Sequence, residues 1–232
     1  MMNAFLTTLL LITASAGINS SDDFTDQRER MVAEQLEARD ITDQATLNAM
    51  RQVPRHDFIP RAHQGMAYSD QPIPIGHGQT ISQPYIVAYM TQLLELQPDQ
   101  RALEIGAGSG YQAAILAEII DEVYTIEIIE ELKHFGEDNL RRNGYDAVQV
   151  KHADGYYGWE EHAPFDAIIV TAASADIPSP LIDQLKDGGK MVIPVGNPMR
   201  TQQLMLVRKS GDDITTEALM PVRFVPFERK DD

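Results

Sequence analysis

The chain has no cysteine and a single tryptophan among its 232 residues. Without thiols it can build no disulfide framework, thiolate nucleophile or cysteine-based zinc site. Its six histidines are scattered and none stands four residues from another, so the histidine pair of a helical metal site is missing and no metal is expected. Basic residues are scarce too: 19 Lys and Arg face 35 acids, a formal net charge of −16. Such a chain repels phosphate backbones unless it carries a local basic patch. Its basic runs are pairs such as Arg141-Arg142 and Arg208-Lys209, ordinary solvated surface, so nucleic acid is not an expected partner.

Long hydrophobic runs are also lacking. The mostly apolar stretch from Ala4 to Ala16 is too short to span a bilayer as a helix, and no stable membrane association is expected. It has the length of a signal core, and Ala14-Ser15-Ala16 offers a cleavage motif, yet no Lys or Arg precedes it. Two readings stand: an export signal with a weak basic region, or a plain extension over residues 1–23.

The remainder, residues 24–232, is enough for one α/β domain with a full core. The chain is organised around Leu103-Glu104-Ile105-Gly106-Ala107-Gly108-Ser109-Gly110-Tyr111. Here an apolar strand runs into a glycine turn and then a helix, which is how α/β proteins bring backbone N–H groups to a nucleotide-like ligand. The spacing is G-x-G-x-G, which by itself is weak evidence because it lacks the full dinucleotide fingerprint. Context strengthens it: Glu122 to Glu127 reads as a second strand ending in an acid, 21 positions after Gly106. That is close to the roughly twenty-residue offset at which such folds aim a carboxylate at ribose hydroxyls. Gln79-Thr80-Ile81-Ser82-Gln83-Pro84 is expected to be the loop and helix start facing this turn.

In chain order, Met31, Val32 and Leu36 recur at helical spacing within a helix expected over 24–39. A second helix follows from Ile41 to Arg51, capped by Thr42 or Asp43 and ended by Pro54. The proline-punctuated stretches Arg55 to Pro60 and Tyr68 to Ile75 are expected to be extended parts of a functional loop. Ser82 is placed as the cap, and Pro84 in the first turn, of a helix reaching Leu96. A charged helix spans Glu130 to Arg142 and a strand Ala147 to Lys151. A buried strand covers Pro164 to Val170, a helix Ile177 to Lys186 ended by Gly188-Gly189, and a strand Lys190 to Val195. Strands Gln203 to Lys209 and Ile214 to Val222 are joined by a hairpin turn at Ser210-Gly211-Asp212-Asp213. Alternating strands and helices followed by strands alone predict a mostly parallel sheet with an antiparallel edge.

Several pieces together carry a resemblance: Gln79 to Pro84, Leu103 to Tyr111, Asp154-Gly155, Ala163 to Ala173, Gln184 to Gly189, Pro194 to Gly196 and Phe224-Val225-Pro226. The chain resembles the protein-L-isoaspartate O-methyltransferases from about Phe24 to Phe227, and the T-I-S-x-P and F-V-P pieces are the specific ones. The resemblance implies a Rossmann-like methyltransferase that uses S-adenosyl-L-methionine on isoaspartyl-containing peptides and proteins, methylating the α-carboxylate exposed by aspartyl or asparaginyl rearrangement and so starting their repair. By the same resemblance Ser82 is the catalytic and substrate-binding serine. Thr80 and Ile81 line the site, Gly106 meets the methionine end, Glu127 takes the ribose, and Asp154 with Gly155 takes the adenine. Gln79, Glu104, Gly108 and Gly110 complete the expected cofactor set, while Phe224, Val225 and Pro226 help hold the substrate carboxylate. The expected enzyme is a monomer. It is expected in the cytoplasm, where its cofactor is made, with the periplasm as the alternative if Ala4 to Ala16 is cleaved. Two departures stand out: Ile128 where many relatives carry Arg, and Phe135-Gly136, a mid-helix glycine costing about 0.5–1 kcal/mol relative to alanine and expected to loosen its helix.

Other side chains read as structural. His77 is a loop histidine, since an ionised carboxylate needs no base. Tyr156, Tyr157 and Trp159 pack at the adenine rim or in the core, and Asp166 hydrogen-bonds below a buried strand.

Overall fold

The computed structural model describes residues 20–230, so Ala4 to Ala16 lie outside the described residues. The first amphipathic segment forms α1 (Ser20–Arg30) and continues as a π-helical turn, Met31–Glu37. Met31, Val32 and Leu36 are buried, as their spacing predicts. The next helix, α2 (Gln44–Gln52), is capped by Asp43, whose carboxylate accepts from the Thr46 N–H at 2.8 Å.

The stretch beginning at Arg55 differs from expectation. It is not extended but forms two 3₁₀ turns, Arg55–Phe58 and Arg61–Met66. Pro54 and Pro60 stand immediately before them with φ of −77° and −52°, so each proline's fixed φ starts a turn. Beyond them β1 (Ile73–Gly76) pairs antiparallel with β2 (Gln79–Ile81). Gln79, Thr80 and Ile81 thus form a strand, where a loop was expected. The hairpin closes through Gly76, His77 and Gly78, all at positive φ.

After α3 (Pro84–Leu94) the main sheet begins, with order β5-β4-β3-β6-β7-β8-β9. Its parallel strands are β3 (Arg101–Ile105), β4 (Glu122–Glu127), β5 (Gln149–His152), β6 (Phe165–Val170) and β7 (Leu185–Val195). The antiparallel edge is β8 (Gln202–Ser210) and β9 (Asp213–Val222). Helices α4 (Tyr111–Ala117) and α5 (Glu130–Arg142) connect the early strands. This is the Rossmann-like arrangement expected from the sequence. The helix expected over 177–186 shrinks to α6 (Ser179–Asp183), and Gly188-Gly189 lie inside β7 rather than before it. There the pairing with β6 jumps from Phe165↔Leu185 to Ala167↔Lys190; Gly188, at φ 79°, takes up the extra residues as a bulge.

Strand β3 is flanked by β4 on one side and β6 on the other, so the order of winding reverses at its carboxyl end. In open α/β sheets that crevice is where ligands bind.

Candidate active site

The turn after β3 is shaped by three glycines, Gly106, Gly108 and Gly110, with φ of 98°, 52° and 84°. A Cβ on Gly106 would lie 2.5 Å from the Thr171 hydroxyl oxygen, which in turn sits 2.8 Å and 3.0 Å from the Gly106 and Ile105 carbonyls. The turn is equally tight on its outer side. A Cβ on Gly136 would lie 2.9 Å from the Gly108 carbonyl, and one on Gly110 would lie 2.9 Å from the Gly136 carbonyl. Gly136 therefore does not loosen α5, as expected from propensity; it is what lets that helix press against the turn. Gly110 likewise belongs to this contact and is not among the residues lining the cleft above.

At the end of β4 the buried carboxylate of Glu127 is held by backbone. Its Oε2 accepts from the Gly108 N–H at 2.8 Å, and its Oε1 from Ile128 and Ile129 at 2.9 and 3.0 Å. Three donors fix the acid while leaving acceptor capacity toward the cleft. Ile128 contributes its N–H to that cage and lines the cleft, so this edge is apolar.

The cleft over the turn holds about 540 Å³ including its open mouth and is lined by Gln79, Thr80, Gly106, Gly108, Glu127 and Gly155, with Val225 and Pro226. The donor set suits a nucleoside-bearing cofactor: bare glycine backbone below, an anchored carboxylate at the ribose distance along the sequence, and apolar residues around them.

Three expected cofactor residues are placed differently. Ile81 and Glu104 line a smaller cavity beneath the turn, together with Ser82 and Gln112. Glu104 is fully buried; burial pushes its pKa up to about 8, against the pull of the Thr125 hydroxyl, which donates to Oε2 at 2.5 Å. Its other oxygen, Oε1, is buried without a partner. Asp154 turns toward the C-terminal segment, accepting from the Arg229 Nε at 3.0 Å and the Lys230 N–H at 3.3 Å. Burial alone would raise its pKa, but these donors and the Tyr156 N–H more than offset that and hold it below the ordinary carboxylate range. Of the Asp154-Gly155 pair, only Gly155 lines the cleft.

A second cleft adjoins the first and is lined by Arg39, Ser82, Tyr85, Met220, Phe224 and Val225, among others. Thr80, Thr171 and Val225 belong to both linings, so the clefts meet there. Ser82 is not the cap of α3. Gln83 occupies that position without a side-chain bond, and the Tyr85 N–H is met instead by Asp70 from the preceding loop at 3.2 Å. Asp70 also accepts from Gln83 Nε2 at 2.8 Å and from Arg39 at 3.0 Å. The Ser82 hydroxyl has no hydrogen-bond partner among the described residues, while its carbonyl accepts from the buried Arg55 at 2.7 Å. Phe224-Val225-Pro226 is laid along the clefts by Ala173, whose N–H donates to the Val225 carbonyl at 2.8 Å and whose carbonyl accepts from Phe227 at 2.9 Å.

Of the residues read as structural, Asp166 accepts from the Arg101 N–H and Lys186. Trp159 packs edge-on to Tyr124 in the core, Tyr156 lies under Arg229, and His77 is exposed in its turn. Sequence reasoning assigned no role to Thr171, Asp70 or Arg55. Thr171 follows the buried β6 run directly, and that position at a strand's carboxyl end was the available signal; Arg55 and Asp70 carried none.

Fold and site together define a Rossmann-like methyltransferase with a nucleoside-cofactor cleft. The family model described as protein-L-isoaspartate(D-aspartate) O-methyltransferase matches residues 26–232. The protein-L-isoaspartate O-methyltransferase of Opitutus terrae is 57% identical over 225 residues, 97% of either chain. Protein-L-isoaspartate O-methyltransferase 2 of Syntrophobacter fumaroxidans is 51% identical, covering 97% of this chain and 96% of its own. A crystal structure described as a protein-L-isoaspartate O-methyltransferase from Plasmodium falciparum, in complex with S-adenosyl-L-homocysteine, superposes with a TM-score of 0.75 at 29% identity, over 87% of this chain and 98% of that one. The chain belongs to the protein-L-isoaspartate(D-aspartate) O-methyltransferase family.

Proposed function

We propose that this chain methylates the α-carboxylate of L-isoaspartyl residues in damaged peptides and proteins, with S-adenosyl-L-methionine as donor. The carrying observation is that two clefts, one floored by glycine backbone and one holding the unbonded Ser82 hydroxyl, meet at Thr80, Thr171 and Val225. Gln79, Thr80, Gly106, Gly108, Glu127 and Gly155 hold the cofactor, with Glu127 accepting from ribose hydroxyls through its spare lone pairs. Bound there, the cofactor supplies an electrophilic methyl group on a sulfonium.

The chain's own task is alignment. A carboxylate is already ionised at neutral pH, its reference pKa lying about three units lower, so no general base is needed. Ser82 donates to the substrate carboxylate and fixes its direction, while Phe224, Val225 and Pro226 close the other side. Orientation of this kind contributes up to roughly 7–11 kcal/mol in well-aligned systems. Asp154 acts indirectly, by anchoring the C-terminal segment through Arg229. Residues 24–232 work as one domain in a monomer, and the cytoplasm, where the donor is made, is the working compartment. Among the described residues no helix is long and apolar enough to cross a membrane.

The test pairs an isoaspartyl peptide with its normal aspartyl twin and follows methyl incorporation from labelled donor. Label in the isoaspartyl peptide alone is the expected result. Equal labelling of both, or neither labelled while the donor still binds, overturns the proposal.

A further inference from the structure

The side chain that holds Ser82 from behind lines neither cleft. Arg55 is fully buried, and its hydrogen bonds go to carbonyls: Nε donates to Ala67 at 2.8 Å and Nη2 to Ser82 at 2.7 Å. Its third nitrogen, Nη1, is buried with no partner. The guanidinium carbon lies 4.8 Å from the Tyr111 ring centre, and no carboxylate forms an ion pair with it among the described residues. Burial lowers its pKa, and the neighbouring Tyr111 hydroxyl, with Tyr68 and Asp70, pulls it back up. A buried cation without a paired counter-ion is costly, which makes its retention informative. Its field also reaches further than that of a surface arginine, because little water screens it. That matters in a chain of net charge −16, which otherwise repels an incoming anion.

We propose that Arg55 is the positioning residue of the carboxylate site: it fixes the Ser82 segment through the Ser82 carbonyl, and the substrate carboxylate supplies the counter-charge it lacks in the free protein. This rests on the reading of Ser82 as the residue that receives the carboxylate. Methyl transfer neutralises that carboxylate, so a nearby positive charge favours the ionised ground state over the transition state. Its contribution therefore falls on binding of the charged substrate.

The experiment measures peptide binding by calorimetry in the dead-end complex with S-adenosylhomocysteine. One probe is a hexapeptide with a single isoaspartyl residue, and the other is its isoasparaginyl twin, in which a neutral carboxamide replaces the α-carboxylate. The wild-type chain should prefer the charged peptide. Arg55→Met should cut that preference about tenfold while S-adenosylhomocysteine affinity stays within about twofold. Arg55→Lys, which keeps the charge, should retain most of the preference, and it decides the matter by itself if the Met variant does not fold. If Arg55→Met weakens both peptides equally, or Arg55→Lys loses the preference, Arg55 is only a tie between two loops and the inference is overturned. If the wild-type chain shows no preference, the reading of Ser82 fails and the inference falls with it.

Discussion

The two ends of the active site are built by different rules. At the cofactor end the contacts are made to backbone: Glu127 is caged by the N–H groups of Gly108, Ile128 and Ile129, the Thr171 hydroxyl donates to the Ile105 and Gly106 carbonyls, and α5 seats Gly136 against the same turn. At the carboxylate end the contacts are side chains reaching across separate segments. Arg55 meets Ser82 across 27 residues, and Asp70 meets Tyr85 across 15. Backbone shapes the end proposed to hold the cofactor, and side chains assemble the end proposed to receive the acceptor. The two ends should therefore separate cleanly under mutation.

The largest effect is expected from Ser82→Ala. Loss of a hydrogen bond to a charged group, about 1.5–3 kcal/mol, should lower kcat/KM roughly ten- to hundredfold, with S-adenosylhomocysteine affinity unchanged by calorimetry. Equal loss of both would move Ser82 to the cofactor end and erase the distinction. Next is Gly136→Ala, which sharpens it from the other side. Helix propensity alone predicts a gain of about 0.5–1 kcal/mol, whereas the contact with the Gly108 carbonyl predicts a loss of about 1–3 kcal/mol. A lower melting temperature together with weaker cofactor binding is the expected outcome; a stabilised variant with full affinity would show that the turn tolerates the added methyl.

A pH-dependent effect concerns Glu104, beneath both ends. Burial raises its folded pKa from the ordinary 4.5 to about 8, so its favourable share of stability is complete below about 4.5 and is lost as pH rises through about 8. Glu104→Gln cannot ionise and should remove this share of the slope. Melting temperatures recorded from pH 5 to 9 should show the variant gaining on the wild type up to about pH 8 and holding level above it; a constant difference would place the ionised acid in the native fold.

This division also explains what could be read from the sequence. The parallel sheet, the antiparallel edge, the glycine turn and the Glu127 offset are carried by periodicity and short spacings, and they appear in the structure. The 3₁₀ turns after Pro54 and Pro60 were misread because proline both ends extended segments and starts tight turns. Ser82 looked like a cap because the usual cap lies next to its helix, whereas the donor here is met by Asp70 from another loop. Gly136 looked like a weakness because propensity sees only its own helix, and the partner that needs the missing methyl is about 28 residues earlier in the chain. Arg55 gave no signal at all, since its partners are carbonyls and any residue supplies those.

The passage between the clefts is ringed by Thr80, Thr171 and Val225, and all three branch at Cβ. Such side chains keep few χ1 states, and the Thr171 hydroxyl is further pinned to two carbonyls. The opening is thus a stiff gauge of nearly constant bore. On the reading proposed above, adaptation to varied damaged sequences falls to the outer walls rather than to this opening.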